Sequence, residues 1–372
     1  MRHAAETALR RCYNRLTATH EGTAESIGFR KGNGIHLTIE RNRRPVFIIG
    51  CHRSGTNLLY DILLSAGGFA VYRGYLPVYE TLIPHFGRLG SRSNREKLVD
   101  AWMRSKGFAR AAVEAGTLSS KLSSECQTGG DFIRIVMNQI AQKQGAGRWA
   151  LYGPDNVLHM RQIKKELPDA LFVHIIRDGR DIALSLMKMQ GFRPFPWSRK
   201  TPGLLETALY WEWMVRKGRE HGERIPEDYT EVHYEELVTH RREVVNRLAE
   251  FLDHDLDCDR IQANRLGRLS ESNSSFRDET EATNPVERWK KKLSREQIGE
   301  LEAIIGPTLE KFGYPLDVSQ EQRKVGFRWK VLASIYPSFL ATKQWLKLNT
   351  ALGHFADLSV LELRDSPLGQ SD

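Results

Sequence analysis

Residues 47–57 read Phe-Ile-Ile-Gly-Cys-His-Arg-Ser-Gly-Thr-Asn, an apolar β-rich run that meets a tight turn between Gly50 and Gly55. Where a buried strand gives way to a helix, the backbone N–H groups of such a turn converge with the positive helix end and hold a phosphate. The spacing matches the phosphate loop G-x-x-x-x-G-K-[ST] with one difference: Thr56 stands where that loop carries its lysine. A kinase or ATPase uses the lysine to reach the β- and γ-phosphates, so its absence disfavours ATP chemistry. Arg53, ahead of Ser54, Gly55, Thr56 and Asn57, suits instead a ligand with one phosphate and a charged leaving group at that end. The alternative is a glycine-rich strand-to-helix turn with no ligand.

A second segment repeats the order strand, polar turn, helix. Residues 176–185 read Ile-Arg-Asp-Gly-Arg-Asp-Ile-Ala-Leu-Ser. Arg177, at the end of the strand, presents a planar guanidinium that forks onto phosphate oxygens, and Ser185 adds a hydroxyl donor from the next helix. The competing reading is a surface turn whose arginines and aspartates pair weakly with each other.

With both motifs in view, R-S-G-T-N-L-L resembles the 5′-phosphosulfate loop of sulfotransferases that use 3′-phosphoadenosine-5′-phosphosulfate (PAPS). The likeness is greatest to the branch that holds the tyrosylprotein sulfotransferases and many bacterial relatives. Residues 176–185 look like the 3′-phosphate segment of that family, with Arg177 and Ser185 at the matching positions. Residues 232–237, Val-His-Tyr-Glu-Glu-Leu, resemble the segment whose tyrosine lies against the adenosine, which nominates Tyr234; a core tyrosine is the other reading. Ser274, Ser275 and Phe276 fall where relatives carry a Ser-Phe pair near the adenine. Residues 286–292, Val-Glu-Arg-Trp-Lys-Lys-Lys, resemble the segment that closes over the 3′ phosphate. There the resemblance gives Arg288 a phosphate role and Trp289 an adenine-side packing role, and the lysines read as a solvated helix start. The likeness runs over residues 44–315. It implies a single α/β domain built on a P-loop-type parallel sheet flanked by helices, PAPS as sulfuryl donor, release of 3′,5′-bisphosphoadenosine, and no metal.

Sulfuryl transfer by in-line displacement needs a base for the acceptor's proton and cations for the leaving phosphate oxygen. Arg53 sits in the loop position for the second task. Relatives of the tyrosylprotein type place a glutamate base after the first helix, and here Glu80 is the first glutamate of that segment. His85 is the second candidate, since an unperturbed imidazole titrates near 6.5, and Asp155 the third. Many relatives carry a lysine just before the proline of W-x-x-K-x-P, whereas residues 149–154 are Trp-Ala-Leu-Tyr-Gly-Pro, so Tyr152 replaces it. Arg53 and His159 are the groups available to offset the loss. A catalytically weak nucleotide-binding protein of the same fold is therefore the competing function, and a P-loop small-molecule kinase the third.

The elements that must hold these residues are legible as alternating patterns. Residues 45–50 and 170–176 are continuous apolar runs, as strands buried on both faces require. Helical stretches come next at 58–66 and 182–189, with others at 93–115, 131–144, 204–221 and 241–251. Further strands are expected at 148–152 and 230–233, and a short one at 35–40. Strands alternating with helices imply a mostly parallel sheet with ligands at its carboxyl edge. The division expected is an N-terminal helical and strand extension over 1–43, the catalytic domain over 44–318 and an amphipathic helical tail over 319–372.

Bulk composition adds little. A chain of 372 residues with 40% hydrophobic and 27% charged residues buries a sizeable core, and its +9 charge favours anionic partners. Nothing in the pattern points to nucleic acid. The cysteines Cys12, Cys51, Cys126 and Cys258 lack metal-site or disulfide-framework spacing. With no apolar run of signal-peptide or membrane-span length, the expectation is a soluble cytoplasmic protein. In the tail, basic residues alternate with aromatics over 323–347, and Leu332, Ile335, Tyr336, Phe339 and Leu340 recur at helical spacing. That pattern fits packing on the domain, a cover for the acceptor site, or peripheral contact with an anionic membrane. The acceptor's identity is not written in any motif.

Overall fold

The computed structural model describes residues 39–189, 192–195, 198, 201–266 and 285–363. From Arg41 onward the chain forms one compact unit. Its centre is a five-stranded, wholly parallel sheet of β1 (Val46–Gly50), β2 (Phe69–Ala70), β3 (Arg148–Tyr152), β4 (Leu171–Ile176) and β5 (Tyr229–His233). The strand order is β2-β3-β1-β4-β5. β1 lies at the centre, with β3 and β2 on one side of it and β4 and β5 on the other. The reversal places a crevice at the carboxyl end of β1, where open α/β sheets bind ligands.

The sheet is covered on both faces because its central strands are apolar along almost their whole length. Along β1, Phe47 and Ile49 enter one core and Val46 and Ile48 the other; along β4, Phe172 and Ile176 alternate with Leu171, Val173 and Ile175 in the same way. The helices Thr56–Ala66, Arg241–Leu252 and Cys258–Asn264 cover one face. The helices Gly129–Gln144, Gly179–Leu186, Leu204–Gly222 and Arg295–Lys311 cover the other. Burying each such Val, Leu, Ile or Phe contributes about 1.5–3 kcal/mol against chain entropy.

Register sets the site. Gly50 of β1 lies level with Ile175 of β4, Ile48 with Tyr152 of β3, and Ile176 with His233 of β5. The residues that leave these strands next are the turn 51–55, the segment 153–155, Arg177 and Tyr234, all at one edge of the sheet.

Most expected elements appear within a few residues of their expected bounds. The stretch 93–115 is instead three short helices, Arg92–Met103, Lys106–Ala111 and Ala115–Glu125, capped at their starts by Ser91, Ser105 and Glu114. The strand expected at 35–40 falls almost wholly outside the described residues. The tail helix Phe327–Asn349 is packed into the same compact unit as the sheet. Tyr336 and Leu340 are buried in the core cluster, and Trp329, Leu332 and Phe339 are packed against it. No helix among the described residues is long and apolar enough to cross a membrane.

Candidate active site

The turn after β1 is built for close approach. Arg53 takes φ 71° and Gly55 φ 103°. A Cβ on Gly55 would lie 2.5 Å from the Tyr234 ring, and one on Gly50 2.5 Å from the Ile175 carbonyl oxygen. Gly55 opens the helix Thr56–Ala66, and no side chain caps its first N–H groups. The Ser54 hydroxyl oxygen is buried beside them without a hydrogen-bond partner. Uncapped helix donors and an orphaned hydroxyl at one point fit an anionic oxygen. Thr56 is buried and Asn57 exposed on the first turn of that helix. Gly55→Ala is expected to destabilise the fold by about 1–3 kcal/mol and to abolish anion binding, measured as a lower Tm and a lost ligand-induced rise in it.

Arg177 reaches the same turn from β4. Its guanidinium donates to the Arg53 carbonyl at 3.3 Å and the Pro285 carbonyl at 2.6 Å, and it lies over the Tyr234 ring at 4.1 Å. Its Nε, though buried, has no partner, and neither has the Nε of Arg288. Arg53 Nε donates to Ser185 Oγ at 3.0 Å, which brings the two phosphate motifs into direct contact. Arg53, Ser185 and Arg288 line one cleft of about 360 Å³ together with Lys188 and Lys292. Burial, with the nearby charges of Arg177 and Arg53, lowers the pKa of Arg288. Cations held this close, with donor atoms to spare, fit a multiply charged anion.

Arg180 and Trp289 are part of the frame. Arg180 is buried, donating to Asp178 from Nε at 3.0 Å and to Glu302 from Nη1 at 2.7 Å, with its guanidinium 3.8 Å from the Trp289 ring. Trp289 donates from its backbone N–H to Asp181 and from its indole N–H to Asp178. With its side chain 1% exposed between Arg180 and these carboxylates, Trp289 anchors the Arg288 segment to the helix Gly179–Leu186. Tyr234 is buried beneath the phosphate turn, against Gly55 and Arg177. Ser275 and Phe276 lie outside the described residues.

A second cluster sits at the neighbouring strand ends. His52 Nε2 and Asp155 Oδ2 are 3.1 Å apart. Burial opposes the imidazolium, but the Asp155 carboxylate outweighs it and raises the His52 pKa; burial likewise opposes the Asp155 carboxylate, and His52 holds its pKa low. Glu80 lies in a π-helical turn, Val78–Leu82, a distortion that concentrates at functional sites. Its carboxylate accepts a hydrogen bond from the Tyr75 hydroxyl. Burial and the charge of Asp155 push its pKa up to about 7.

His85 points elsewhere. Its Nδ1 pairs with the Ala356 carbonyl at 3.0 Å, and its own carbonyl accepts from His354 at 2.6 Å. Through these two contacts the His85 residue fastens the tail. Tyr152, in place of the resembled lysine, packs on Tyr60 with ring centroids 4.7 Å apart. Burial lowers the His159 pKa to about 4, so that ring is neutral and supplies no cation. On the tail helix, the charge of Lys347 acts on Glu80, Asp155 and His159. Gln344, a turn earlier, donates to the Leu158 carbonyl at 3.2 Å and holds the helix there. Among the described residues no group of His, Cys, Asp and Glu is placed to hold a metal.

The model of the sulfotransferase family matches residues 45–258, the stretch that carries both phosphate turns and all five strands. This chain belongs to the sulfotransferase family. Several solved sulfotransferase structures are similar to it, three of which follow. The sulfotransferase domain of the Synechococcus PCC 7002 olefin synthase is 17% identical, with 73% of this chain and 96% of that one covered and a TM-score of 0.45. The sulfotransferase domain from the curacin biosynthetic pathway is 17% identical, with 62% and 81% covered and a TM-score of 0.42. Sulfotransferase STF9 from Mycobacterium avium is 18% identical, with 74% and 78% covered and a TM-score of 0.41. The family match carries the assignment. No protein of curated function matches the sequence significantly.

Proposed function

We propose that this sulfotransferase takes its sulfuryl group from PAPS and delivers it to an acceptor hydroxyl or amine, with Glu80 as the base. The observation that supports the donor is the meeting of two anion sites through the Arg53–Ser185 contact. The turn 51–55 fits the 5′ phosphate and sulfuryl end, where Arg53, Ser54 and the helix start at Thr56 and Asn57 supply donors. Arg177, Ser185 and Arg288 fit the 3′ phosphate, and the orphaned Nε atoms of the two arginines are the donors it would fill.

In the transfer, the acceptor oxygen or nitrogen forms a bond to sulfur as the sulfur–oxygen bond to the 5′ phosphate breaks. The chain must remove one proton from the acceptor and hold the charge left on the phosphate. Arg53 does the second. Glu80, with a pKa of about 7, is poised near neutral pH for the first. The His52–Asp155 pair and Lys347 set the charge around it. With Tyr152 where relatives carry lysine, Lys347 is the cation on the acceptor side.

The test is transfer of label from sulfur-labelled PAPS to a panel of phenols, sugars, steroids and lipids. Labelled product from at least one class, lost in Arg53→Ala, is the expected result. Firm binding of the bisphosphate product with no transfer to any class would instead favour a nucleotide-binding protein of the same fold.

A further inference from the structure

We propose that the outer face of the tail helix Phe327–Asn349, with the turn after it, docks on an anionic lipid bilayer. The helix has two apolar faces. Trp329, Leu332, Tyr336 and Leu340 face the core. The opposite face carries Phe327, Val331, Ile335 and Trp345, and the apolar surface continues at Leu348, Leu352 and Phe355. Phe327 and Trp345 are 18 residues apart, about five helical turns, so they share one face of the helix on either side of Pro337. They are 82% and 58% exposed, and Phe355 84%. Scattered exposed apolar residues are ordinary on a protein surface, but large side chains aligned over one helix mark a contact.

Charge selects the occupant. Residues 322–356 contain Arg323, Lys324, Arg328, Lys330, Lys343 and Lys347 and no Asp or Glu. Arg323 pairs with Glu302 and the charge of Lys347 acts on Glu80, but a second copy of the chain seated on this face would still set Lys324, Arg328 and Lys330 against their own counterparts. An anionic headgroup layer instead gains attraction from each Lys and Arg near its surface, while Trp and Phe enter the headgroup boundary. The helix is not apolar enough over a sufficient length to cross a membrane, so the contact lies in the plane of the bilayer. The charge of Lys347, on the same helix, acts on Glu80.

The experiment is co-sedimentation of the full chain with vesicles of phosphatidylcholine alone and of phosphatidylcholine with phosphatidylserine, at low and high salt. Binding to the mixed vesicles alone, weakened by salt, is expected. Phe327→Ser, Trp345→Ser and Phe355→Ser together should weaken it at least about tenfold, and Lys324→Glu, Arg328→Glu and Lys330→Glu together should do the same, each with Tm and bisphosphate binding retained. No binding to phosphatidylserine vesicles at low salt overturns the proposal, as does equal binding by both triple variants and the unaltered chain. A concentration-dependent dimer by light scattering that the aromatic triple variant abolishes, without vesicle binding, assigns the face to a second copy and overturns it too. Should a variant unfold, the lipid and salt dependence of the unaltered chain still decides.

Discussion

Glu80→Gln is expected to lower kcat by about 10²–10⁴-fold while leaving the affinity for 3′,5′-bisphosphoadenosine within about twofold, because the carboxylate lies outside the phosphate turns. With Glu80 as the base, kcat/KM of the unaltered enzyme is expected to rise with pH through about 7, since the base must be ionised to accept a proton, and that rise is expected to be absent from the residual activity of the variant. The apparent value belongs to the cluster of Glu80, Asp155 and His52 rather than to one group. Stability runs the other way. Folding raises the Glu80 pKa from 4.5 to about 7, so its proton is bound more tightly in the folded state, and the associated stability is lost as pH rises through that window. Glutamine is neutral throughout, so Glu80→Gln has the higher Tm at pH 8, and the difference closes toward pH 4. Loss of transfer in Asp155→Asn with full activity in Glu80→Gln would move the base to Asp155.

Arg177→Ala is expected to weaken bisphosphate binding by about 1.5–3 kcal/mol, the scale of hydrogen bonds to a charged group, which is roughly 10–150-fold in Kd. The side chain is buried, with its Nε unpartnered and the Tyr234 ring on one side. It also ties the turn at Arg53 to the segment at Pro285, so the alanine variant loosens both walls of the phosphate site. Arg177→Lys keeps the charge and loses the fork, and its affinity falls between the two. Titration calorimetry beside a thermal melt separates lost binding from lost fold. An affinity unchanged in the alanine variant removes Arg177 from the site.

The two turns proposed to bind phosphate stand out in the sequence because each is compressed into about ten residues. A buried strand announces itself by an unbroken apolar run, and strand register then places the turn at its end. Gly50 and Ile175 lie level, so the turns after them must meet, and Arg53 and Ser185 do. The acceptor side is harder to read because it is assembled over long separations. Lys347 and Glu80 belong to segments that share no local pattern, and only the docking of the tail helix brings them together. Glu80 itself sits in a π turn that leaves no helical or strand periodicity. His52 occupies a variable position of a phosphate loop, where its residue type carries no signal, and its partner Asp155 lies 103 residues away.

Trp289 and His85 have tertiary partners that no local pattern announces. A tryptophan beside a basic residue matches a ligand-covering segment, but the carboxylates and guanidinium that claim it, Asp178, Asp181 and Arg180, come from a different stretch of chain. His85 has the right chemistry for a base, but the Ala356 carbonyl that occupies its ring lies in the tail. Residue type and local spacing name what a group is able to do. Which partner reaches it first is decided by tertiary packing.

The central claim is that two anion sites joined at Arg53 and Ser185 recognise a nucleotide phosphorylated at both 3′ and 5′ positions. Calorimetric titration of the full chain with 3′,5′-bisphosphoadenosine, adenosine 5′-phosphate and ATP with magnesium tests it most directly. The bisphosphate is expected to bind at least about tenfold more tightly than either competitor, consistent with one set of charge-assisted hydrogen bonds to the 3′ phosphate, and that preference should disappear in Arg177→Ala. Equal affinity for adenosine 5′-phosphate, or tighter binding of ATP with magnesium, would contradict it.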